Sequence, residues 1–162
     1  ALRNEIAPLP CQQLYFTTLA YGKLQPLFTA EPEKRLEEIR KDEHILLVTG
    51  IASPAAIIDK LSAYTQFITP LIFPDHHDFD ATDMKRITEA FKKLPAGRRF
   101  IVTTEKDAAR LITHPLLDET LKPSIYVLPV EVAFLNEEEH LFNQNIIEYV
   151  RKNSRNSSFS KS

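Results

Sequence analysis

Short apolar runs alternate with amphipathic segments along most of the chain. Two continuous runs, 45–48 and 100–103, have the composition of strands that are buried on both faces of a sheet. Further strand-like stretches are 13–28, with a kink or turn at 21–23, then 66–73, and then 124–134, bent at Pro129. The pattern therefore predicts a strand in each of these stretches.

The segments between these runs have helical periodicity. Met84, Ile87, Phe91 and Leu94 recur at i, i+3, i+7 and i+10, which predicts an amphipathic helix to about residue 93. Asp80 or Thr82 is its expected N-cap. Other predicted helices are 31–41 starting near Pro32, 54–62 capped by Ser53, 108–112, and 137–150 with an apolar stripe of Phe142, Ile146, Ile147 and Val150.

Strand and helix thus alternate about five times at the spacing of helical crossovers. This rhythm predicts an α/β fold with a mostly parallel sheet and helices on both faces. We expect residues 1–150 to form a single α/β domain. Residues 151–162 are basic, rich in Ser and Asn and poor in apolar side chains, so we expect a disordered tail there.

The amino-acid composition argues against several classes of function. The chain has 20 Lys and Arg against 22 Asp and Glu, a net charge of −2, which argues against a dominant electrostatic nucleic-acid binder. Cys11 is the single cysteine, so no intramolecular disulfide can form, and a reducing compartment fits. No apolar run approaches the roughly 18 residues of a membrane span. Only 3 glycines are present, too few for a Gly-rich phosphate loop.

The first candidate for chemistry is the loop 73–79, here called the histidine loop, which follows the apolar run 66–73. Pro74 ends the strand, since proline has no backbone donor. The loop carries four polar residues, namely Asp75, His76, His77 and Asp78. A histidine oriented by a carboxylate is a common general base, and both residue types are metal ligands. The alternative is a polar loop in which Asp75 or Asp78 caps the next helix.

Two further turns follow strands. Thr104 and Asp107 match a capping box with Asp in place of Glu, and Lys106 beside them could contact a phosphate. The turn at Gly50 precedes a helix whose N-terminus could receive an anion. The alternative is that both turns only connect and cap. If the strands are parallel, both turns and the histidine loop lie at the same edge of the sheet, where α/β proteins bind ligands.

These residues carry a family resemblance. Phe-Pro-Asp-His-His-x-Phe at 73–79, Thr-Thr-Glu-Lys-Asp-Ala-x-Arg-Leu at 103–111 and Leu-Pro-Val-Glu at 128–131 resemble the C-terminal half of tetraacyldisaccharide 4'-kinases. The turn 49–54 is similar to that family's Gly-Ile-Ala-x-Pro turn, and the resemblance runs over about 14–150. It implies a P-loop-kinase-like C-terminal lobe. It also implies phosphorylation of the 4' position of a lipid A disaccharide precursor, with ATP and Mg²⁺, at the cytoplasmic side of the bacterial inner membrane.

The first half of such kinases carries a Walker loop, magnesium-binding acids and a membrane-contacting helix. This chain has only Gly22, Gly50 and Gly97, starts at Ala1 and has Met84 as its one methionine. We therefore expect a C-terminal lobe that is inactive alone. The resemblance implies that the N-terminal half is its partner and holds ATP, Mg²⁺ and the membrane contact. The lipid precursor is the substrate, and neither a nucleic acid nor a metal is assigned to this chain.

The resemblance also implies residue roles. His76, placed by Asp75, would reach across an interdomain cleft and help a carboxylate of the other half to deprotonate the sugar hydroxyl, with His77 as the other candidate. The expected substrate- or phosphate-binding residues are Thr104, Lys106 and Gly50. Two other interpretations stay open at this point. One is a non-catalytic α/β interaction module, and the other is a metal-dependent Asp-His-His phosphoesterase, whose further ligand motifs are not apparent in the sequence.

Overall fold

A computed structural model describes residues 5–9, 12–75 and 77–157, with side chains through residue 154. From Thr17 onward, the described residues form seven strands and four α-helices. The strands are β1 (Thr17–Tyr21), β2 (Gln25–Pro26), β3 (His44–Thr49), β4 (Ile68–Ile72), β5 (Arg99–Thr103), β6 (Ile125–Val127) and β7 (Val130–Phe134). The helices are α1 (Ala55–Ser62), α2 (Ala81–Lys93), α3 (Glu105–Leu111) and α4 (Glu139–Ser157).

Five strands form the central sheet, in the order β2-β6-β5-β3-β4. The pairs β3–β4, β3–β5 and β5–β6 are parallel, and only β2 joins in antiparallel register. Leu47 of β3 lies opposite Pro70 of β4 on one side and Val102 of β5 on the other. The prediction of an α/β fold with a mostly parallel sheet is confirmed.

Side chains of β3 alternate between the two faces of this sheet, because successive strand residues point to opposite sides. Leu46 and Val48 join one buried core, and Ile45 and Leu47 join the other. The helical members of the first core are Met84, Ile87, Phe91 and Leu111, and those of the second are Ile57 and Leu61. Helices α2 and α3 thus cover one face and α1 covers the other, as predicted.

By its internal contacts the chain divides into two compact units. One unit, Tyr21–Val130, contains the five-stranded sheet with α1, α2 and α3. The second unit comprises Ala1–Ala20 and Glu131–Ser162, and it contains α4 and most of the two-stranded pair of β1 with β7. The single domain expected over 1–150 stays a prediction.

Two breaks in the strands are present where the sequence indicated them. β1 and β2 are separated at Gly22, and β6 and β7 are separated at Pro129. The N–H of Gly22 donates to the carbonyl of Pro129 at 2.9 Å, so the two breaks lie side by side. A Cβ on Gly22 would lie 3.2 Å from the Cβ of Pro129, which shows how closely they pack.

The helix predicted at 31–41 is wrong, since only Leu36–Glu38 is helical, as one 3₁₀ turn. Leu24 and Lys34 instead exchange two backbone hydrogen bonds of 2.8 and 2.9 Å, and this isolated bridge removes Lys34 from helical geometry. The N-cap prediction for α1 also differs from the structure. Pro54 takes the N-cap position with helical φ and ψ, and no side chain caps the helix.

Helix α4 continues to Ser157, seven residues beyond the expected end at 150, although residues 158–162 lie outside the described ranges. Arg and Lys are good helix formers, so a low apolar content did not mark the helix end. The expected stripe is not buried within the described residues, since Ile146, Ile147 and Val150 are 49%, 50% and 54% exposed. Among the described residues, no helix combines the length and the apolar character that a membrane crossing needs.

Candidate functional site

Three loops meet at the carboxyl edge of the sheet, because β3, β4 and β5 are adjacent and parallel. The turn after β3 begins at Gly50, the histidine loop follows β4, and Thr104 follows β5. This edge is the usual ligand position in open α/β sheets. The expectation that the three candidate segments lie at one edge is confirmed.

Asp107 joins two of these loops. Its Oδ2 accepts hydrogen bonds from Thr49 Oγ1 at 3.1 Å, Gly50 N at 2.9 Å and Thr104 Oγ1 at 2.8 Å. The carboxylate is 0% exposed. Thr104 is the N-cap of α3, as predicted, and accepts from the Asp107 N–H. The carboxylate of Asp107 turns toward β3 instead of completing the capping box.

Gly50 allows the turn after β3 to approach the histidine loop. A Cβ at this position would lie 3.0 Å from the carbonyl oxygen of Pro74 and 3.3 Å from Asp107 Oδ1. Contacts of about 3.0 Å between a Cβ and a backbone oxygen require something to move. The N–H of Gly50 already donates to Asp107, so this amide does not face an incoming anion.

His77 is anchored inside the histidine loop. Its Nε2 donates to Oδ2 of Asp83 at 2.5 Å, and its ring stacks on Phe73 with centroids 5.4 Å apart. Its backbone N–H donates to the carbonyl of Pro74 at 3.2 Å, which closes a turn containing Asp75. The His77 side chain is 28% exposed and that of Asp83 is 7% exposed. His77 is therefore fixed by its ring and by its backbone.

Asp83 belongs to the capping box of α2. Asp80 is the N-cap of α2, and it is one of the two residues predicted for that position. The Asp83 N–H donates to Asp80 Oδ1 at 2.9 Å, and the Asp80 N–H donates to Asp83 Oδ2 at 3.1 Å. Capping by Asp75 or Asp78 is therefore not observed. Burial tends to raise the pKa of the Asp83 carboxyl. Hydrogen bonds from His77, the Asp80 N–H and Arg86 outweigh burial and hold that pKa below its ordinary value.

Asp75 and Lys106 come together from two different loops. The ammonium of Lys106 contacts the carboxylate of Asp75, and the two side chains are 36% and 40% exposed respectively. His76, the favoured catalytic histidine, lies outside the described residues. Thr104 is nearly buried at 7% exposure, so of the three predicted binding residues Lys106 is the most accessible at this edge.

Two residues of this edge were not singled out from the sequence. Asp83 orients His77, and Arg110 of α3 donates from Nη1 to the backbone carbonyl of His77 at 2.7 Å. The available signal for Asp83 was its position three residues after Asp80, as in a capping box with Asp in place of Glu. For Arg110 the signal was its i+3 spacing from Asp107, which places both on one helix face.

Neither a cluster of metal ligands nor a glycine-rich loop is present among the described residues. Among them no group of three or more His, Cys, Asp or Glu side chains is placed to hold a metal ion. Gly22 packs on Pro129, Gly50 packs on Pro74, and Gly97 lies in open space with φ +77°. These three glycines lie in separate turns and do not build a phosphate-binding loop.

Comparison with known proteins identifies the family. Residues 6–150 match the model of the family described as LpxK, tetraacyldisaccharide-1-P 4'-kinase. The chain belongs to the LpxK family. It is 62% identical over 159 residues to a tetraacyldisaccharide 4'-kinase of Phocaeicola vulgatus and 51% identical over 159 residues to one of Bacteroides thetaiotaomicron. A relative of the same description from Parabacteroides distasonis is 40% identical over 146 residues.

The chain spans less than half the length of these LpxK relatives. The alignments cover 98%, 94% and 90% of this chain but 43%, 42% and 40% of the relatives in the same order. Among solved structures, the chain is similar to "apo" form LpxK from Aquifex aeolicus in complex with ATP. That likeness has a TM-score of 0.47 and 16% identity, and it covers 82% of this chain and 35% of the other.

Proposed function

We propose that this chain is the C-terminal part of a lipid A disaccharide 4'-kinase. The whole protein would transfer the γ-phosphate of ATP to the 4'-hydroxyl of a tetraacyldisaccharide 1-phosphate, at the cytoplasmic side of the bacterial inner membrane. The observation that carries this proposal is the family match over residues 6–150. The activity belongs to the whole protein, and we expect this chain alone to be inactive.

The proposed partner is the N-terminal half of the same protein, which would hold ATP and Mg²⁺ and contact the membrane. Two observations support it. The relatives are more than twice as long as the aligned segment. Helix α4 also leaves Ile146 and Val150 about half exposed, on an apolar face of the kind that packs against another structure. We propose that this face of α4 contacts the N-terminal half.

We propose His76, oriented by Asp75, as the histidine that assists removal of the proton from the 4'-hydroxyl. His77 is the other candidate for this role. Its Nε2 donates to Asp83 and its ring stacks on Phe73, so Nδ1 is the nitrogen that keeps a lone pair for a proton. His76 is proposed because it follows Asp75 directly in the sequence, although it lies outside the described residues.

The proposed phosphate and substrate contacts come from the neighbouring loops. Lys106 lies beside Asp75 and is accessible, so it can exchange this partner for a phosphate oxygen. Thr104 and Gly50 contribute in a different way. Both donate to the buried carboxylate of Asp107, so we propose that they shape the edge of the site.

The test uses the full-length protein, a tetraacyldisaccharide 1-phosphate and ATP. Phosphorylation of the lipid is followed for the wild type, His76→Ala and His77→Ala. General-base assistance is typically worth about 10²–10⁴-fold, so His76→Ala should lower kcat by a factor in that range. His44→Gln is the matched control, because His44 begins β3 at the opposite edge of the sheet.

Each outcome has a distinct meaning. A wild-type protein that does not phosphorylate the lipid would overturn the proposed function. An active wild type with a fully active His76→Ala variant would retain the kinase but remove the role of His76. A larger loss in His77→Ala than in His76→Ala would exchange the roles of the two histidines.

A further inference from the structure

The buried carboxylate of Asp107 and the guanidinium of Arg110 take no part in the proposed chemistry, yet both lie among the loops that do. Asp107 Oδ2 accepts three hydrogen bonds, and Asp107 Oδ1 has no hydrogen-bond partner among the described residues. The nearest cation to Oδ1 is Arg110, whose Nη1 lies 3.9 Å away. A fully buried carboxylate needs such partners, because burying an isolated charge is costly.

One turn of α3 separates these two side chains, so they project from the same helix face. Asp107 reaches toward the end of β3 through Thr49 and Gly50. Arg110 reaches toward the histidine loop and donates to the carbonyl of His77 at 2.7 Å. Helix α3 thereby connects the loop after β3 to the loop after β4.

The hydrogen bond from Arg110 to His77 lies at one end of a closed turn. The His77 N–H bonds to the Pro74 carbonyl, so the turn starts at Pro74 and finishes at His77. Its first end abuts Gly50, where a Cβ would lie 3.0 Å from the Pro74 oxygen. Its second end is held by Arg110. Asp75 and His76 are the two residues between these ends in the sequence.

We propose that Arg110, supported by Asp107, is a positioning residue for phosphoryl transfer. The pair would hold both ends of the Pro74–His77 turn, so that the histidine loop cannot shift during the reaction. This inference rests on the proposed function, because it assumes that the histidine loop takes part in the reaction. Arg110 itself contacts no substrate in this proposal.

The expected signature is a loss of turnover without a loss of binding. A displacement of about 1 Å in a catalytic group can lower a rate by about 10²-fold. We therefore expect Arg110→Ala in the full-length protein to lower kcat by about ten- to a hundredfold. The KM values for ATP and lipid should stay within about twofold, since no substrate contact is removed. Arg110→Lys, which retains a cationic donor, should recover part of the loss.

A double variant separates this role from a general effect on folding. If Arg110 acts through His76, the variant Arg110→Ala with His76→Ala should be no slower than His76→Ala alone. Independent effects would instead multiply. Arg98→Ala is the matched control, because Arg98 precedes β5 at the opposite edge and pairs with Asp42 at 2.7 Å. Thermal unfolding of each variant checks that the proteins compared are folded.

Three outcomes would overturn the inference while the kinase assignment stands. Arg110→Ala could be fully active, or the losses could multiply in the double variant. The third outcome is a loss of activity in Arg110→Ala without a loss in His76→Ala. A wild-type protein without ATP-dependent phosphorylation would overturn both. If Arg110→Ala does not fold, Arg110→Gln and Arg110→Lys carry the same comparison. Asp107→Asn then serves as the second variant, with the same kcat signature expected.

Discussion

The Nε2 atom of His77 lies 2.5 Å from a carboxylate oxygen of Asp83, and this contact ties the histidine loop to the first turn of α2. Asp83 also accepts from the Asp80 N–H and from Arg86, so a single side chain both caps a helix and orients a histidine. A carboxylate only accepts hydrogen bonds, so Nε2 carries the proton in this contact. His77 thereby helps to hold the loop against α2.

The first prediction concerns the pH dependence of stability. The folded-state pKa of Asp83 is lowered, so its ionised form stabilises the fold above the unfolded carboxyl pKa of about 4. This contribution is lost as the pH falls through the folded-state value. At pH 6 we expect Asp83→Asn to lower the free energy of unfolding by about 1–3 kcal/mol. The difference from wild type should shrink below about pH 4, as measured by urea unfolding across this range.

Ile87→Val is the control for this series. Ile87 is buried in the same helix, and its truncation should cost about 0.5–1.5 kcal/mol without removing a titrating group. Its destabilisation should therefore be the same at pH 3 and pH 6. A difference between wild type and Asp83→Asn that stays constant with pH would contradict the linkage argument.

A second prediction follows from the contact of Gly50 with the histidine loop. Gly50→Ala would place a methyl group 3.0 Å from the Pro74 oxygen, and the backbone must shift to accept it. We expect a loss of about 1–3 kcal/mol in the free energy of unfolding, together with reduced kinase activity in the full-length protein. Chemical denaturation and lipid phosphorylation measure the two effects.

Gly97→Ala is the matched variant. Gly97 has φ +77° with no atom within 4 Å of a new Cβ, so alanine is strained by its backbone alone, at about 1–2 kcal/mol. Stability should therefore fall while activity is unchanged. If the two alanine variants had equal activity, the close approach of Gly50 to Pro74 would have no functional consequence.

Lys106 gives a third prediction. Its pair with Asp75 is more than a third exposed, so its removal should change the free energy of unfolding by less than about 1 kcal/mol. A hydrogen bond from an ammonium to a phosphate is worth about 1.5–3 kcal/mol. Lys106→Ala should therefore raise the KM for ATP or lipid by about tenfold or more. Steady-state kinetics measure both constants, with Lys93→Ala as the control on exposed α2 surface.

A fall in kcat at unchanged KM would assign Lys106 a different role. In that case its contact with Asp75 would matter more than any contact with phosphate. Lys106→Arg then distinguishes the two roles further, since it preserves the charge in either case while changing the geometry at Asp75.

The fold could be predicted from the sequence where the pattern allowed one solution. The runs containing Leu46 and Ile101 are continuous and apolar, and only a strand covered on both faces buries such a run in a few residues. The helix prediction for 31–41 was wrong because the spacing of apolar and charged residues there fits a helix as well as the mostly non-helical conformation observed. The conformation of this segment is decided by backbone bonds from Leu24 to Lys34, and such bonds have no signal in side-chain pattern.

The site was predictable to the level of its loops but not of its contacts. Thr104 was identified as a cap from its residue type and spacing. The bond from Arg110 to His77 ends on a backbone carbonyl, and every residue has one, so no pattern marks it. The pairing of His77 with Asp83 depends on a turn that reverses the chain between them. Side-chain partners across a turn follow from its geometry, which residue types alone do not define.

The last prediction addresses the apolar face of α4. Ile146 and Val150 are about half exposed in this chain, and substituting such surface positions usually changes the free energy of unfolding by no more than about 0.5 kcal/mol. In the full-length protein the same side chains would be buried against the N-terminal half. Burying the remaining half of an aliphatic side chain is worth about 1 kcal/mol. We therefore expect Ile146→Gln with Val150→Gln to lower the thermal midpoint of the full-length protein and not that of this chain.

Gln144→Ala controls for a change on α4 itself. Gln144 is exposed and lies about 200° around the helix from Ile146, on the opposite face. It should have no effect in either protein. The two halves can also be produced separately and their association measured by titration calorimetry, where the double variant should bind more weakly and Gln144→Ala should bind as wild type. Equal effects of the double variant in the short and full-length proteins would show that this face has no partner in the N-terminal half.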